Sequence, residues 1–268
     1  MTSSVVEIWR YREVLALLVR RDLTVKYQQS VLGYFWTLLE PLAIALTYWF
    51  VFAVLYNTRP AGGEPYILFL VSGLFAWIWV NGVLGEATMA LTLQHRLIAT
   101  IKVPRELFPI GRVVSKFMEY LAAMPVLIVV AIACRAHIGW NLLMLPLAIV
   151  LEMILLVGAA LLLSSLNVML RDVERFMRLL QRLLMYAVPV IYPLNKVVDA
   201  TGIPGWVKTI YELNPLVGIF ELHHAAWLAS SGLPNARLMI SATVGSLLFL
   251  LIGWVVFRRL EPAVLKEL

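Results

Sequence analysis

Along this chain apolar residues gather into long blocks, with nearly all the charges in the segments between them. The charge-poor blocks run over about 32–56, 65–85, 117–134, 142–170, 183–194 and 238–257. A helix needs roughly 20 apolar residues to cross about 30 Å of hydrocarbon, and most of these blocks meet that length. The pattern predicts an all-α polytopic membrane protein with six transmembrane helices in one domain, 1–268. Residues 1–31 form a cytoplasmic preface, 32–257 the six-span bundle, and 258–268 a cytoplasmic tail.

Two stretches depart from a plain bundle. The fifth block has thirteen uncharged residues between Arg182 and Lys196, with Pro189 and Pro193 among them. That is about 20 Å of helix at 1.5 Å per residue, too short to cross alone. In the preceding segment Val173, Phe176, Met177, Leu180 and Leu184 recur at helical spacing, which predicts an amphipathic helix feeding into the short block. Residues 196–237 then alternate apolar patches with the turn signals "TGIPGW", "LNPLVGIF" and "SSGLPN". Backbone broken at Pro and Gly survives at membrane depth where protein or water satisfies it, so re-entrant gate helices between spans five and six are expected. The alternative is an outer amphipathic helix lying flat. At the other end, Val14, Leu17, Leu18 and Leu23 predict an N-terminal interfacial helix, Gly33 the turn into the bilayer, and Pro41 a bend in the first span.

Composition supports the membrane reading. Hydrophobic residues make up 62% and charged residues 14%, with a mean hydropathy of +0.86, too little polar surface to coat a soluble globule of 268 residues. Of the 22 Lys and Arg residues, seventeen fall on the side of the termini and five on the other. The positive-inside rule therefore puts both termini in the cytoplasm and the chain in the cytoplasmic membrane, and it accounts for the net charge of +6 without nucleic acid. Cys134 is the one cysteine, so no intrachain disulfide forms. No secretory signal peptide is read at the N-terminus.

The chemistry that is missing narrows the function. There is no G-x-x-x-x-G-K-[ST] for nucleotide phosphates and no H-E-x-x-H or paired cysteines for zinc, so no cofactor and no metal is expected on this chain. His223 and His224 are neighbours that point about 100° apart on a helix, a poor chelate. Glu152 is the one acid deep in an apolar block, a candidate for proton coupling in a secondary carrier, although no internal repeat accompanies it. Glu221, His223 and His224 are the loose candidates for a membrane enzyme acting on lipid-linked sugars. Trp77 and Trp79 face different sides of one helix, so at most one is expected to point inward.

Four motifs in order resemble one family. The first is "RRDLTVKYQQSVLGYFWTLLEP", with Arg21, Asp22, Lys26, Tyr27, Ser30, Leu32, Gly33, Trp36 and Pro41; the second is "LIATIKVPRELFPI". The third is "LNVMLRDVERFMRLLQRLLMYAVPVIYPL", ending in the Pro-x-x-Tyr-Pro of Pro189, Tyr192 and Pro193, and the fourth is "LNPL" at 213–216. Together they resemble the permease subunits of type 2 ABC exporters for bacterial polysaccharides, the branch that moves O-antigen, teichoic acid, capsule and lipid-linked galactan. The resemblance implies a non-catalytic subunit. It would act as a homodimer with two separate ATPase subunits that hold ATP and Mg, exporting a lipid-linked polysaccharide between the two copies. It places a coupling helix to the ATPase at Arg96, Leu97, Ile98, Lys102, Pro104, Arg105 and Glu106. A sugar path would be lined by Tyr34, Trp36, Glu40, Tyr48, Trp49 and Tyr186, since aromatic faces stack on sugar rings without fixed charge. An outer gate would be formed by Pro189, Tyr192, Pro193, Asn214, Pro215 and His224. One departure is His224, where the family often carries an arginine.

Overall fold

The computed structural model describes residues 9–27, 33–57, 65–100, 103–136, 139–170, 172–228 and 232–267. Among the described residues there are eleven α-helices and no strand. Helix α1 (Arg12–Tyr27) is followed by a 3-10 turn (Gly33–Phe35) that opens α2 (Trp36–Tyr48), which continues as π-helix over Trp49–Leu55. Gly33 takes φ +50°, the left-handed region that favours glycine, at the turn into the first span. Next come α3 (Tyr66–Thr88), the short α4 (His95–Thr100) and α5 (Leu107–Ala133). A 3-10 turn (Trp140–Leu143) opens α6 (Met144–Met169), and α7 (Asp172–Ala187) follows. Last are α8 (Asn195–Val198), α9 (Gly205–Leu213), α10 (Pro215–Trp227) and α11 (Ala236–Glu267).

Among the described residues five helices are long and apolar enough to cross a membrane: Leu38–Leu55, Tyr66–Thr88, Leu107–Ala133, Trp140–Met169 and Ala236–Val264. The fifth apolar block of the sequence, 183–194, is not among them. Helix α7 starts at Asp172 and stops at Ala187, and the two prolines lie in the turn beyond it. Proline lacks the N–H that a continuing helix needs, which explains the stop. The segment still runs along α3 in the opposite direction. Gln181 Nε2 donates to the Asn81 carbonyl at 2.6 Å, and Tyr66 Oη donates to the Ile191 carbonyl at 2.5 Å, near the far end of α3.

The third span also begins earlier than its apolar block. Helix α5 starts at Leu107, ten residues before the block, and carries Arg112, Lys116 and Glu119 as part of the helix. A hydropathy window ends at such charges, but these three are paired across helices, as described below. The 32 residues of α11 likewise absorb the expected tail as continuous helix.

Helix α3 is the hub, packed by α2, α5, α6, α7 and α10. Hence Trp77 and Trp79 are both buried, at 4% and 1% exposure, although they point to different sides. The expectation that at most one faces inward assumed a helix with a lipid side, and α3 has little of one.

Helices α6 and α11 cross most closely, with Gly158 against Gly253. A Cβ at Gly158 would run into the backbone at Phe249 and Leu250, and one at Gly253 into the Gly158 carbonyl. Small residues let membrane helices approach in this way. Gly158→Leu is expected to destabilise the purified chain by about 1–3 kcal/mol, because a backbone neighbour cannot rotate aside. A thermal unfolding series in detergent checks this, with Gly202→Leu, whose surroundings are open, as the harmless control.

Helix α1 and the last turns of α11 gather at one end of the bundle. Leu18, Ile98, Leu161, Phe257 and Val264 share a small apolar cluster there. At the opposite end α9 and α10 form a helical hairpin. Asn214 caps α10, its side chain accepting from Leu216 N at 3.1 Å, and Pro215 takes the first position, whose N–H has no helical partner in any case. Pro215 packs at Gly245, well inside α11, whereas Gly218 meets Leu238 and Ala242 nearer its start. Helix α10 therefore begins deep and rises outward, buried along nearly its whole length.

Candidate functional site

Three polar arrangements interrupt the apolar bundle, and the first is a cavity of about 420 Å³. Helix α2 contributes Trp36, Glu40 and Tyr48; α3 contributes Trp77, Trp79 and Asn81; α5 contributes Lys116, Glu119 and Tyr120; and Met185 comes from α7. Tyr48 Oη donates to Met185 Sδ at 3.7 Å, which closes α7 against α2. Six of the eighteen lining residues are aromatic, with Trp79 stacked on Tyr120 at a centroid distance of 5.2 Å. Trp79 Nε1 and Tyr120 Oη are buried polar atoms with no hydrogen-bond partner among the described residues. The charged groups Lys26, Glu40, Lys116 and Glu119 all border the same space.

The second arrangement is a chain of alternating charge at the end where the termini meet. Arg112 reaches Asp22 of α1 at 3.2 Å and Glu86 of α3 at 3.6 Å. Lys116 bridges Glu86 at 2.5 Å and Glu119 at 3.2 Å, and Lys26 closes on Glu119 at 2.9 Å. Arg112, Lys116 and Glu119 recur at helical spacing on one face of α5, so the network ties α1 to α3 and α5 at once. That spacing is the available signal in the sequence, hidden because Arg112 and Lys116 fall before the apolar block that begins at 117. Beside the network lies a groove of about 540 Å³ lined by Arg21, Asp22, Leu93, Gln94 and Arg112.

At the far end α10 is pinned by two histidines. His223 Nε2 lies 2.7 Å from Glu152 Oε2 on α6, with both side chains at or below 1% exposure. His224 stacks on Phe69 at 4.1 Å, and its Nε2 lies 2.8 Å from the Pro189 carbonyl. A carbonyl only accepts, so Nε2 carries a proton; Nδ1 lies 3.0 Å from the Ser72 hydroxyl, which donates to the Phe69 carbonyl at 2.8 Å. The neighbours diverge as their 100° separation requires: one ring fixes α10 to α6, the other to α3 and the proline turn. Among the described residues no group of three or more His, Cys, Asp or Glu could hold a metal ion.

The residues singled out from the sequence fall as follows. Trp36, Glu40 and Tyr48 come together in the cavity, whereas Trp49 and Tyr186 are exposed outside it, at 38% and 66%. The side chain of Tyr34 lies outside the described residues. Arg96 on α4 is exposed, Leu97 is half-buried and Ile98 is buried. Pro104 follows in the connection, and Lys102 lies outside the described residues. Arg105 pairs with Glu261 at 3.4 Å, and Glu106, at 2% exposure, pairs with Arg258 at 3.1 Å, so both bind the connection to the end of α11. Of the gate residues, His224 meets Pro189 directly. Tyr192 Oη donates to the Tyr186 carbonyl at 2.6 Å and accepts from Tyr211 Oη at 3.4 Å, while Asn214 and Pro215 start α10. Lys26, Lys116, Glu119, Tyr120 and His223 complete these clusters and were not among the residues chosen for them.

Long apolar helices around a partly polar cavity, with a charge network at one end and a buried hairpin at the other, define a multi-pass helical membrane protein. The chain belongs to the ABC-2 type transporter family, whose model matches residues 13–226. It is a membrane permease subunit, and membership implies partnership with an ATPase subunit that hydrolyses ATP. It is similar to the O-antigen export system permease protein RfbA of Myxococcus xanthus, 26% identical over 93% of both chains. Two proteins of the same name from Klebsiella pneumoniae are 26% and 25% identical over 93% of this chain and 92% of their own.

Proposed function

We propose that two copies of this chain, with two ATPase subunits, form the channel for ATP-driven export of a lipid-linked surface polysaccharide across the cytoplasmic membrane. The observation that carries the substrate is end-to-end similarity to permeases named for O-antigen export, joined to a cavity walled by Trp36, Tyr48, Trp77, Trp79 and Tyr120. Sugar rings stack their C–H faces on such side chains, and a polymer slides past them because each contact is weak.

On this reading the five long helices and the 172–193 traverse make six crossings, with both termini cytoplasmic under the positive-inside count. Helix α1 is interfacial, and the α9–α10 hairpin is the re-entrant outer gate. Helix α4, with exposed Arg96, and the adjoining groove seat the ATPase. Arg105 and Glu106 transmit its movement to α11 through Glu261 and Arg258. Trp36, Glu40 and Tyr48 line the path, and His224, Pro189, Tyr192, Pro193, Asn214 and Pro215 build the gate.

Trp36→Ala and Glu40→Ala are each expected to lower export several-fold while the ATPase still co-purifies. Surface glycan measured in cells that depend on this chain reads the first quantity, and pull-down of the ATPase the second. Loss of ATPase binding instead would move this stretch from the channel wall to the coupling surface.

A further inference from the structure

Three buried polar atoms stand between the cavity and the pair that fixes α10. Among the described residues Trp79 Nε1, Tyr120 Oη and Glu152 Oε1 have no hydrogen-bond partner, and none of the three side chains is more than 4% exposed. They come from α3, α5 and α6 and are brought together by packed rings. Trp79 stacks on Tyr120, Phe117 packs against both, and Tyr120 meets the His223 ring edge-on at a centroid distance of 6.1 Å. The Glu152 carboxylate acts electrostatically on the Tyr120 phenol, while its second oxygen, Oε2, is the one held at His223. Trp79 and Tyr120 also line the cavity, whereas Glu152 and His223 do not. The two aromatic side chains therefore separate a polar space from a buried acid and base.

Polar atoms buried without a partner are costly, and the donor set says what would satisfy these three. An indole N–H only donates, an ionised carboxylate oxygen only accepts, and a phenol does both. A metal cation is repelled by the N–H. Water accepts from the indole, donates to the carboxylate and does either with the phenol, and buried waters take about three such bonds.

We propose that Trp79 Nε1, Tyr120 Oη and Glu152 Oε1 bind water drawn from the cavity, and that protons pass through this water between the cavity and the Glu152–His223 pair. A proton entering from cavity water is handed to Glu152 Oε1 as the bound water takes its replacement from the cavity, and the 2.7 Å contact at Oε2 shares it with His223. Besides Glu152, the titratable groups facing His223 are Tyr120 of α5 and His224 of its own helix, and no charged side chain of α3, α9 or α11 pairs with it among the described residues. The path ends at His223, whose ring is otherwise met by Phe220, so protons are exchanged with the cavity and none is carried across. The link between α6 and α10 takes its protonation state from the cavity in this way. Tyr120 is a positioning residue that acts through the water it holds. This inference goes beyond the export reading and does not require it.

The test places the full chain in nanodiscs, transfers it to heavy water and follows deuterium at the ring carbon Cε1 of His223 and His224 by mass spectrometry, with fragmentation between the two. Exchange at that carbon requires solvent at the imidazole. His224 is the internal control, equally buried on the same helix but covered by Phe69 and the Pro189 carbonyl. His223 is expected to exchange at least about tenfold faster than His224, and Y120F, which keeps the ring and removes the hydroxyl, to slow His223 by about fivefold with His224 unchanged. Filling the cavity from α2 with I44W is expected to slow His223 in the same way, since Ile44 lines the cavity and does not touch the pair. Equal rates for the two histidines in the wild type, or an unchanged His223 rate in Y120F, would overturn the water path. A joint rise of both rates in Y120F would also overturn it, by marking Tyr120 as packing alone. If Y120F fails to elute as a folded species, I44W takes its place with the same expected direction and the same overturning results.

Discussion

Glu152→Ala is expected to abolish export and to cost roughly 3–5 kcal/mol of stability, the scale of removing one partner from a buried pair. Glu152 and His223 share a buried 2.7 Å contact, a polar link between α6 and α10, the helix proposed as the gate. Whichever of the two carries the proton, alanine leaves the imidazole beside an empty space in an apolar surrounding. Glu152→Gln keeps the shape and one hydrogen bond, so it is expected to retain most of the stability. The discriminating readout is a channel assay in planar bilayers: a released gate helix gives leak current in the alanine variant and little in the glutamine variant. A sealed, stable alanine variant would mean that this pair does not hold the gate.

The second large effect is expected at Lys116, whose side chain is 8% exposed and lies between Glu86 and Glu119. Lys116→Met fills a similar volume but leaves two carboxylates facing each other without the cation that separates them. Arg112 and Lys26 remain as partial compensation, so the stability loss is expected near about 3 kcal/mol rather than above it. The functional consequence is larger. The network joins α1 to α3 and α5 at the end where the ATPase is proposed to dock, so ATP hydrolysis by the assembled complex should continue while export falls steeply. Measuring both rates on one preparation separates uncoupling from failed assembly, and a parallel fall in both would assign Lys116 to assembly.

The helices were legible where burial and hydropathy coincide. The blocks at 65–85 and 142–170 appear as α3 and α6 because no Lys or Arg interrupts them. The reading failed where a charge is satisfied by a partner distant in sequence. Arg112 and Lys116 fall before the apolar block at 117–134 and Glu119 near its start, yet Asp22, Glu86 and Lys26 neutralise them and α5 extends through them. The same limit applies to Glu152. One dimension shows an acid in an apolar run, but its partner is 71 residues away on a hairpin that only the fold brings alongside. Proline signals were read in the right place with the wrong consequence: Pro189 and Pro193 do not shorten a span so much as end α7 and start the turn that His224 grips. Aromatic residues were half legible. Trp36 and Tyr48 line the cavity and Trp49 does not, a distinction set by which face of α2 meets α3 and α7.

The central claim is that this chain supplies a passage and a separate subunit supplies the energy. It is tested most directly in inverted membrane vesicles carrying this chain, its ATPase partner, or both, with lipid-linked glycan on the outer face. The account predicts that glycan enters the lumen only when both proteins and ATP are present, and that the purified chain alone hydrolyses no ATP. Glycan entry driven by a proton gradient in vesicles without the ATPase would contradict it.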